Sequence, residues 1–312
     1  MIYSSPEEIL IDDRFLKVDL INNVSVFAKL EQFNLGGSIK IKAALGLIEH
    51  YEQQGVLNKN KKIVESSSGN MGVALAMVCN NKGYDFTCVT DPNVSPTNVR
   101  LMKAYGAKVV VIERGVDGGF VSARLAKIKQ MKEEDPDLIW VDQYSCEANW
   151  KAHYKSTAPS IFKEFPNVDY IFTGVGSGGT IMGISRYIAE HSLKTKLIAV
   201  DPYGSVLFGK TPCNRYIPGI GGSVVPSIFD KTKVDGHVIV KEKDTLKTCH
   251  EFAKERGWLI GGSTGTAIAG IRQYAEQIKP DSTVVFVAPD FGVNYLDTIY
   301  ENKWCNNHFG EK

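Results

Sequence analysis

Short runs of apolar, often β-branched residues alternate with segments of helical periodicity along nearly the whole chain. The runs at 24–30, 62–64, 86–89, 108–112 and 170–173 read as strands, as do 196–200, 237–240 and 283–288. Between them, apolar positions recurring every three or four residues predict helices over 41–53, 72–81, 97–105 and 121–132. The same spacing returns over 181–190, 246–256 and 266–277. Continuously apolar strands of this length are buried on both faces, so the pattern predicts mostly parallel sheet covered by helices. The turn at Asp135 and Pro136, the strand-like 138–141 and the polar stretch 142–149 mark a passage between an earlier and a later α/β half. Ligands of such folds lie beyond the carboxyl ends of the strands or between domains.

Composition narrows the class. Lys and Arg number 36 against 35 acidic residues, a net charge of +1, and no long basic block is present. Nucleic acid and anionic membrane are therefore not expected partners. A hydrophobic share of 43% and a charged share of 23% suit a soluble globular enzyme. No apolar run approaches the roughly 20 residues that span a bilayer. The first residues carry acids early and lack a basic-then-apolar leader pattern. Cys79, Cys88, Cys146, Cys213, Cys249 and Cys305 are scattered without a C-x-x-C pair, so neither a disulfide framework nor a metal site is expected. The expected compartment is the cytoplasm.

Candidate chemistry gathers in glycine-rich turns. In NLGGSIK (34–40), the turn at Gly36, Gly37 and Ser38 delivers Lys40 to the start of a helix. A lone lysine there is ordinarily solvated. Beside a turn whose backbone can approach a ligand closely, its amine is placed to form a Schiff base. In SSSGNMG (66–72), Ser67, Ser68, Gly69, Asn70 and Met71 precede an apolar helix whose free N–H groups suit a carboxylate. Capping by a serine is the plainer use of such a turn.

TGVGSGGT (173–180) admits two readings. Gly174, Gly176 and Gly179 satisfy G-x-G-x-x-G, and Asp201 follows at about the 20-residue spacing of a ribose-binding acid. Ser177 and Thr180, set among Gly176, Gly178 and Gly179, instead suit one terminal phosphate. The dinucleotide reading also leaves Lys40 and the Asn70 turn unexplained. In GGSTG (261–265), Ser263 is either a helix cap or a partner for a pyridine-type nitrogen. GIGG (219–222), between Pro218 and Pro226, reads as a rigid loop beside a cleft, and His153 as a structural hydrogen bonder.

Together these residues resemble the cysteine synthase family of fold type II enzymes, which depend on pyridoxal 5′-phosphate (PLP), over nearly the whole chain. The resemblance implies two three-layer α/β domains with mostly parallel sheets and the active site between them. Residues 37–148 would form a smaller, mobile domain, 13–36 and 149–305 a larger PLP-binding one, and 1–12 an N-terminal segment. Lys40 would hold PLP and act as general base, Asn70 would touch the cofactor, and Gly176 to Thr180 would bind its phosphate. Ser263 would meet the pyridine nitrogen. Ser67, Ser68, Gly69, Asn70, Met71 and Gln143 would face the substrate carboxylate, with Gly219 in the loop above.

The reaction implied is loss of the β-substituent from an O-activated serine, leaving an aminoacrylate that a nucleophile attacks. DPNVSPTN (91–98), QYSCEANWKAHY (143–154), GSVLFG (204–209) and Met71 look closest to the N-(2-amino-2-carboxyethyl)-L-glutamate synthases of siderophore and diaminopropionate pathways. Those enzymes take the amine of glutamate as nucleophile. Arg124 and Arg215 are the candidates for its side-chain carboxylate, although Arg124, on a helical pattern, reads first as a solvated charge. Sulfide is the alternative nucleophile. A serine dehydratase and an NAD-dependent oxidoreductase are more distant readings. Relatives imply a homodimer acting on small amino acids. The chain departs from the family at IDDRFL (11–16), at Leu35 in place of a proline and at Ile41 and Lys42 in place of Asp-Arg.

Overall fold

The computed structural model describes residues 2–6, 9–113, 119–209 and 211–310; Met1, Glu7 and Glu8 of the N-terminal segment lie outside the described residues. In chain order the strands are β1 (Phe15–Lys17), β2 (Ser25–Leu30), β3 (Lys62–Ser66), β4 (Asp85–Thr90) and β5 (Lys108–Val111). They continue as β6 (Ile139–Trp140), β7 (Tyr170–Gly174), β8 (Lys196–Pro202), β9 (Gly236–Val240) and β10 (Thr283–Ala288). The first helices are α1 (Lys40–Gln53), α2 (Asn70–Lys82), α3 (Pro96–Ala104), α4 (Gly119–Glu134) and α5 (Ala148–Lys155). The later ones are α6 (Thr157–Glu164), α7 (Gly179–Glu190), α8 (Glu242–Arg256), α9 (Gly262–Gln273) and α10 (Asn302–Phe309).

Two sheets result. The larger runs β1-β2-β10-β7-β8-β9 and the smaller β5-β4-β3-β6. Every pairing is parallel except that of the short edge strand β1 with β2. The chain is an α/β protein of the predicted kind. Central strands are apolar on both faces because helices cover both: β10 is buried from Val284 through Ala288 and β8 from Leu197 through Pro202. Phe172 and Phe286, fully buried, lie in the core between the larger sheet and α9. In the smaller unit α1 and α2 pack Ile41, Leu47, Leu75 and Val78 against Ile63 of β3 and Cys88 of β4.

Four elements escape the hydrophobic pattern. β1 and α10 are short, and α5 and α6 bury polar residues, among them Asn149, His153 and Thr157. Helices α1, α2, α7 and α9 also begin earlier than their periodicity predicts. The residues they add ahead of the expected start are mostly glycine or polar, which carry no apolar signal. At its other end α9 stops at Gln273, and a turn of 3-10 helix covers Ala275–Gln277.

Candidate active site

The candidate residues leave the carboxyl ends of strands, where parallel α/β sheets collect ligands. β2 leads to the Lys40 turn, β3 to Ser67 and Asn70, β6 to Gln143, and β7 to Gly176 and Ser177. Lys40, Ser67, Ser68, Gly69, Asn70, Met71, Gln143, Gly176, Ser177 and Gly219 line one cavity of about 570 Å³, and so do Arg124 and Arg215. Gly178, Gly179, Thr180 and Ser263 are not among its lining residues. The first three continue the Gly176 turn, and Ser263 faces Asp290.

Lys40 is the first residue of α1, its N–H donating to Ser38 Oγ at 3.4 Å. Burial lowers the pKa of its amine, and the charge of Asp290 opposes that shift. Around α2, Ser67 is committed to the loop itself. Its Oγ accepts from the N–H groups of Gly69 at 3.2 Å and Gly72 at 3.0 Å, the capping use anticipated for this turn. Ser68 makes no hydrogen bond to the other described residues and lines the cavity. Asn70 donates to Asp290 Oδ2 at 2.6 Å.

The turn before α7 is shaped for an anion. Gly178 has φ +86°, a left-handed conformation that a residue with Cβ adopts only with strain, and no side chain caps the helix. Gly179 lies so close to Asn149 that a Cβ would overlap its amide. Asn149 Nδ2 donates both to Ser177 Oγ at 3.1 Å and to the carbonyl of Gln143 at 2.7 Å, tying two cavity walls together. Behind the turn, Thr180 Oγ1 meets His153 Nε2 at 3.4 Å, while His153 Nδ1 meets Thr157 Oγ1 at 3.0 Å. Burial holds that imidazole well below its usual pKa, so it is a neutral hydrogen bonder, as its sequence context suggests.

Gln143 is held from behind by Glu65. The carboxyl of Glu65 accepts from the N–H of Ser66 at 2.7 Å and of Gln143 at 3.1 Å, and burial pushes its pKa up to about 8. The two arginines occupy another part of the cavity. Arg124 is buried, correcting the expectation of a solvated charge, because α4 turns it inward onto Asp91 at 3.0 Å. Its Nε has no hydrogen-bond partner. Arg215 donates to the carbonyl of Ile220 at 3.1 Å and to Ser223 Oγ at 2.9 Å, bracing the glycine-rich loop.

Asp201 is not placed to bind a ribose. It is fully buried, does not line the cavity, and accepts from the N–H of Phe208 at 3.3 Å. Burial pushes its pKa up to about 6. The G-x-G-x-x-G spacing therefore has no dinucleotide geometry behind it.

Residues 15–290 match the model of the family described as pyridoxal-phosphate dependent enzyme. The chain belongs to that family. Its fold is similar to that of an O-acetylserine dependent cystathionine beta-synthase from Helicobacter pylori, at 30% identity and a TM-score of 0.89, covering 96% of this chain and 100% of that one. It is also similar to a hydrogen sulfide-producing enzyme from Fusobacterium nucleatum, at 29% identity and a TM-score of 0.87, covering 95% and 100%. An O-ureido-L-serine synthase matches at 27% identity and a TM-score of 0.87, covering 100% and 98%.

As a family member the chain is a cysteine synthase-like enzyme, and its cofactor is PLP. The residues present fit that group. A lysine amine faces the cavity, and an uncapped glycine turn offers N–H donors where a phosphate needs them. The sequence reading missed Glu65, Asp91, Asn149, Asp290 and Tyr295. Glu65, Asp91 and Asn149 sit in or beside motifs already singled out, Asp290 and Tyr295 follow the last strand outside any of them, and none of the five lies within a glycine-rich turn. Only the polar run 142–149 hinted at Asn149.

Proposed function

We propose that the enzyme catalyses β-replacement on an O-activated L-serine, O-acetyl or O-phospho, with the amine of L-glutamate as nucleophile. The product would be N-(2-amino-2-carboxyethyl)-L-glutamate. The observation that carries this reading is one cavity holding both Lys40 and two arginines. Sulfide has no carboxylate to bind, whereas a dicarboxylic acceptor uses both cations. The relatives described as O-acetylserine dependent and as an O-ureido-L-serine synthase support an O-substituted serine as donor.

PLP, when bound, supplies the electron sink that lets the Cα proton leave. The amine of Lys40 takes that proton, the Cβ–O bond breaks, and acetate or phosphate departs. The amine nitrogen of glutamate bonds to Cβ and loses a proton, and Lys40 returns one to Cα. Ser68, Gly69 and Gln143 hold the donor carboxylate, with Ser67 shaping their loop and Met71 beneath it. The turn from Gly176 to Thr180 would hold the cofactor phosphate, while Asn70 and Ser263 would meet the ring. Closure of residues 37–148 under the Gly219 loop excludes water. A role in siderophore or diaminopropionate biosynthesis, and a cytoplasmic homodimer, rest on the family resemblance alone.

One observation favours sulfide: Arg124 already has Asp91 as a counter-charge. Product identification separates the two. With O-phosphoserine or O-acetylserine as donor and equal glutamate and sulfide, mass spectrometry is expected to show the glutamate adduct. Cysteine as the only efficient product would overturn the assignment. Borohydride should fix a yellow chromophore to Lys40, and Lys40→Ala should abolish that while keeping the fold.

A further inference from the structure

Asp290 follows β10 and is clamped from both sides. Ile39 donates to the carbonyl of Pro289 at 2.9 Å, Ser38 and Asp290 form an antiparallel bridge, and Gly261 donates to the carbonyl of Asp290 at 3.3 Å. The residue thus joins the Lys40 turn to the Ser263 turn. Its side chain is buried. Oδ2 accepts from Asn70 Nδ2 at 2.6 Å and Tyr295 Oη at 2.5 Å, and Ser263 faces the carboxyl. Neutral donors alone are poor compensation for burying a carboxylate.

The groups around it come from five elements: Lys40 from α1, Asn70 from α2, Cys249 from α8, Ser263 from α9, and Tyr295 and Tyr300 from the segment after β10. Burial pushes the Cys249 thiol up to about 12 and both phenols upward, so all three are neutral at physiological pH. Lys40 alone among these groups can answer the carboxylate with a charge. No cation lies within ion-pair distance of Asp290 among the described residues, and the Ser38–Asp290 bridge with the Ile39–Pro289 hydrogen bond holds the turn that carries Lys40 against this carboxylate.

We propose that Asp290 is a positioning residue for the Lys40 amine: anchored by Asn70 and Tyr295, its carboxylate stabilises the protonated amine and sets how readily Lys40 holds and releases a proton. The proposal rests on reading Lys40 as the reactive lysine. Burial disfavours the protonated amine, and a base that must also return a proton needs an opposing field. Asn70 links this field to the smaller sheet unit, because it opens α2 and bonds the same carboxyl oxygen.

The test is trace acetylation of the PLP-free protein with acetic anhydride across pH 6 to 10, following Lys40 by mass spectrometry. In Asp290→Asn the midpoint for Lys40 should fall by about one pH unit, making it roughly tenfold more reactive below the wild-type midpoint. Asp290→Glu, which restores the charge, should bring the profile back towards wild type. Tyr295→Phe, which removes a hydrogen bond but no charge, should leave it nearer wild type than the amide does. Asp290→Ser, smaller and neutral, replaces the amide variant should that one fail to fold. An unchanged Lys40 profile in the neutral variant overturns the proposal, as does an equal shift in Asp290→Glu. Because no PLP takes part, a colourless protein would sink the cofactor reading without touching this result.

Discussion

Glu65 offers the sharpest check on how the substrate wall is held. Its carboxyl is fully buried at the end of β3, has no cation within ion-pair distance among the described residues, and supports Ser66 and Gln143 through their N–H groups. The unfolded carboxyl titrates near 4.5 and the folded one at about 8. Between those values the folded protein keeps a proton that the unfolded chain has lost, so stability falls as pH rises. The slope is about 1.4 kcal/mol per pH unit, which makes the accumulated loss on the order of 3 kcal/mol by pH 7. Glu65→Gln removes the titration and retains one acceptor oxygen. Urea unfolding of the PLP-free protein should therefore find the variant within about 1 kcal/mol of wild type at pH 5. It should be about 3 kcal/mol more stable at pH 7. The cost would fall on function, as a raised KM for the donor when Gln143 loses its support. Parallel stability curves for the two proteins from pH 5 to 7 would refute the reasoning, because folded Glu65 would then keep an ordinary pKa.

Other outcomes follow from the packing. Asn149→Ala removes the donors to Ser177 and Gln143 and should weaken PLP binding roughly tenfold, measured by equilibrium titration of the chromophore. Arg215→Ala should raise KM for glutamate at least about tenfold while leaving elimination from the donor without acceptor nearly unchanged; equal losses in both would dismiss its assignment to the acceptor. Lys42→Met leaves buried Glu31 and half-buried Asp12 short of one cation and should cost about 3–5 kcal/mol in denaturant unfolding.

The larger features were legible because they obey single rules. The apolar runs at 170–173 and 283–288 could only be central strands, and they are β7 and β10. The glycine-rich turns were visible because glycine and serine beside an apolar helix are surplus to packing, and those at 34–40, 66–72, 173–180 and 219–222 meet at one cavity, while that at 261–265 lies outside its lining. What stayed hidden depends on three-dimensional pairing. Nothing in PDFGVNY (289–295) shows that Asp290 reaches Asn70, 220 positions away. α5 was missed because its buried face is polar, with Asn149 and His153 where helical periodicity expects leucine. The solvated reading of Arg124 failed for a similar reason. Charge ordinarily faces water, and Asp91, on the loop from β4 to α3, makes an inward guanidinium tolerable.

A four-membered charge cluster lies one residue beyond the lysine's nearest neighbour. Lys42 bonds Glu31 at 2.7 Å, Asp12 and Thr157, while Lys29 reaches Glu31 and Asp12 at 3.0 Å each. Glu31 directly follows β2 of the larger sheet, and both lysines are almost wholly buried. Drawing Lys42 out would leave buried Glu31 and half-buried Asp12 sharing Lys29 alone, at a cost of several kcal/mol. The first turn of helix α1, and Lys40 with it, is thus moored to the larger sheet, while the rest of the helix packs in the smaller unit. A closure that kept these ion pairs intact would pivot beyond Lys42, leaving the Lys40 amine at rest while the Ser67–Asn70 loop moved.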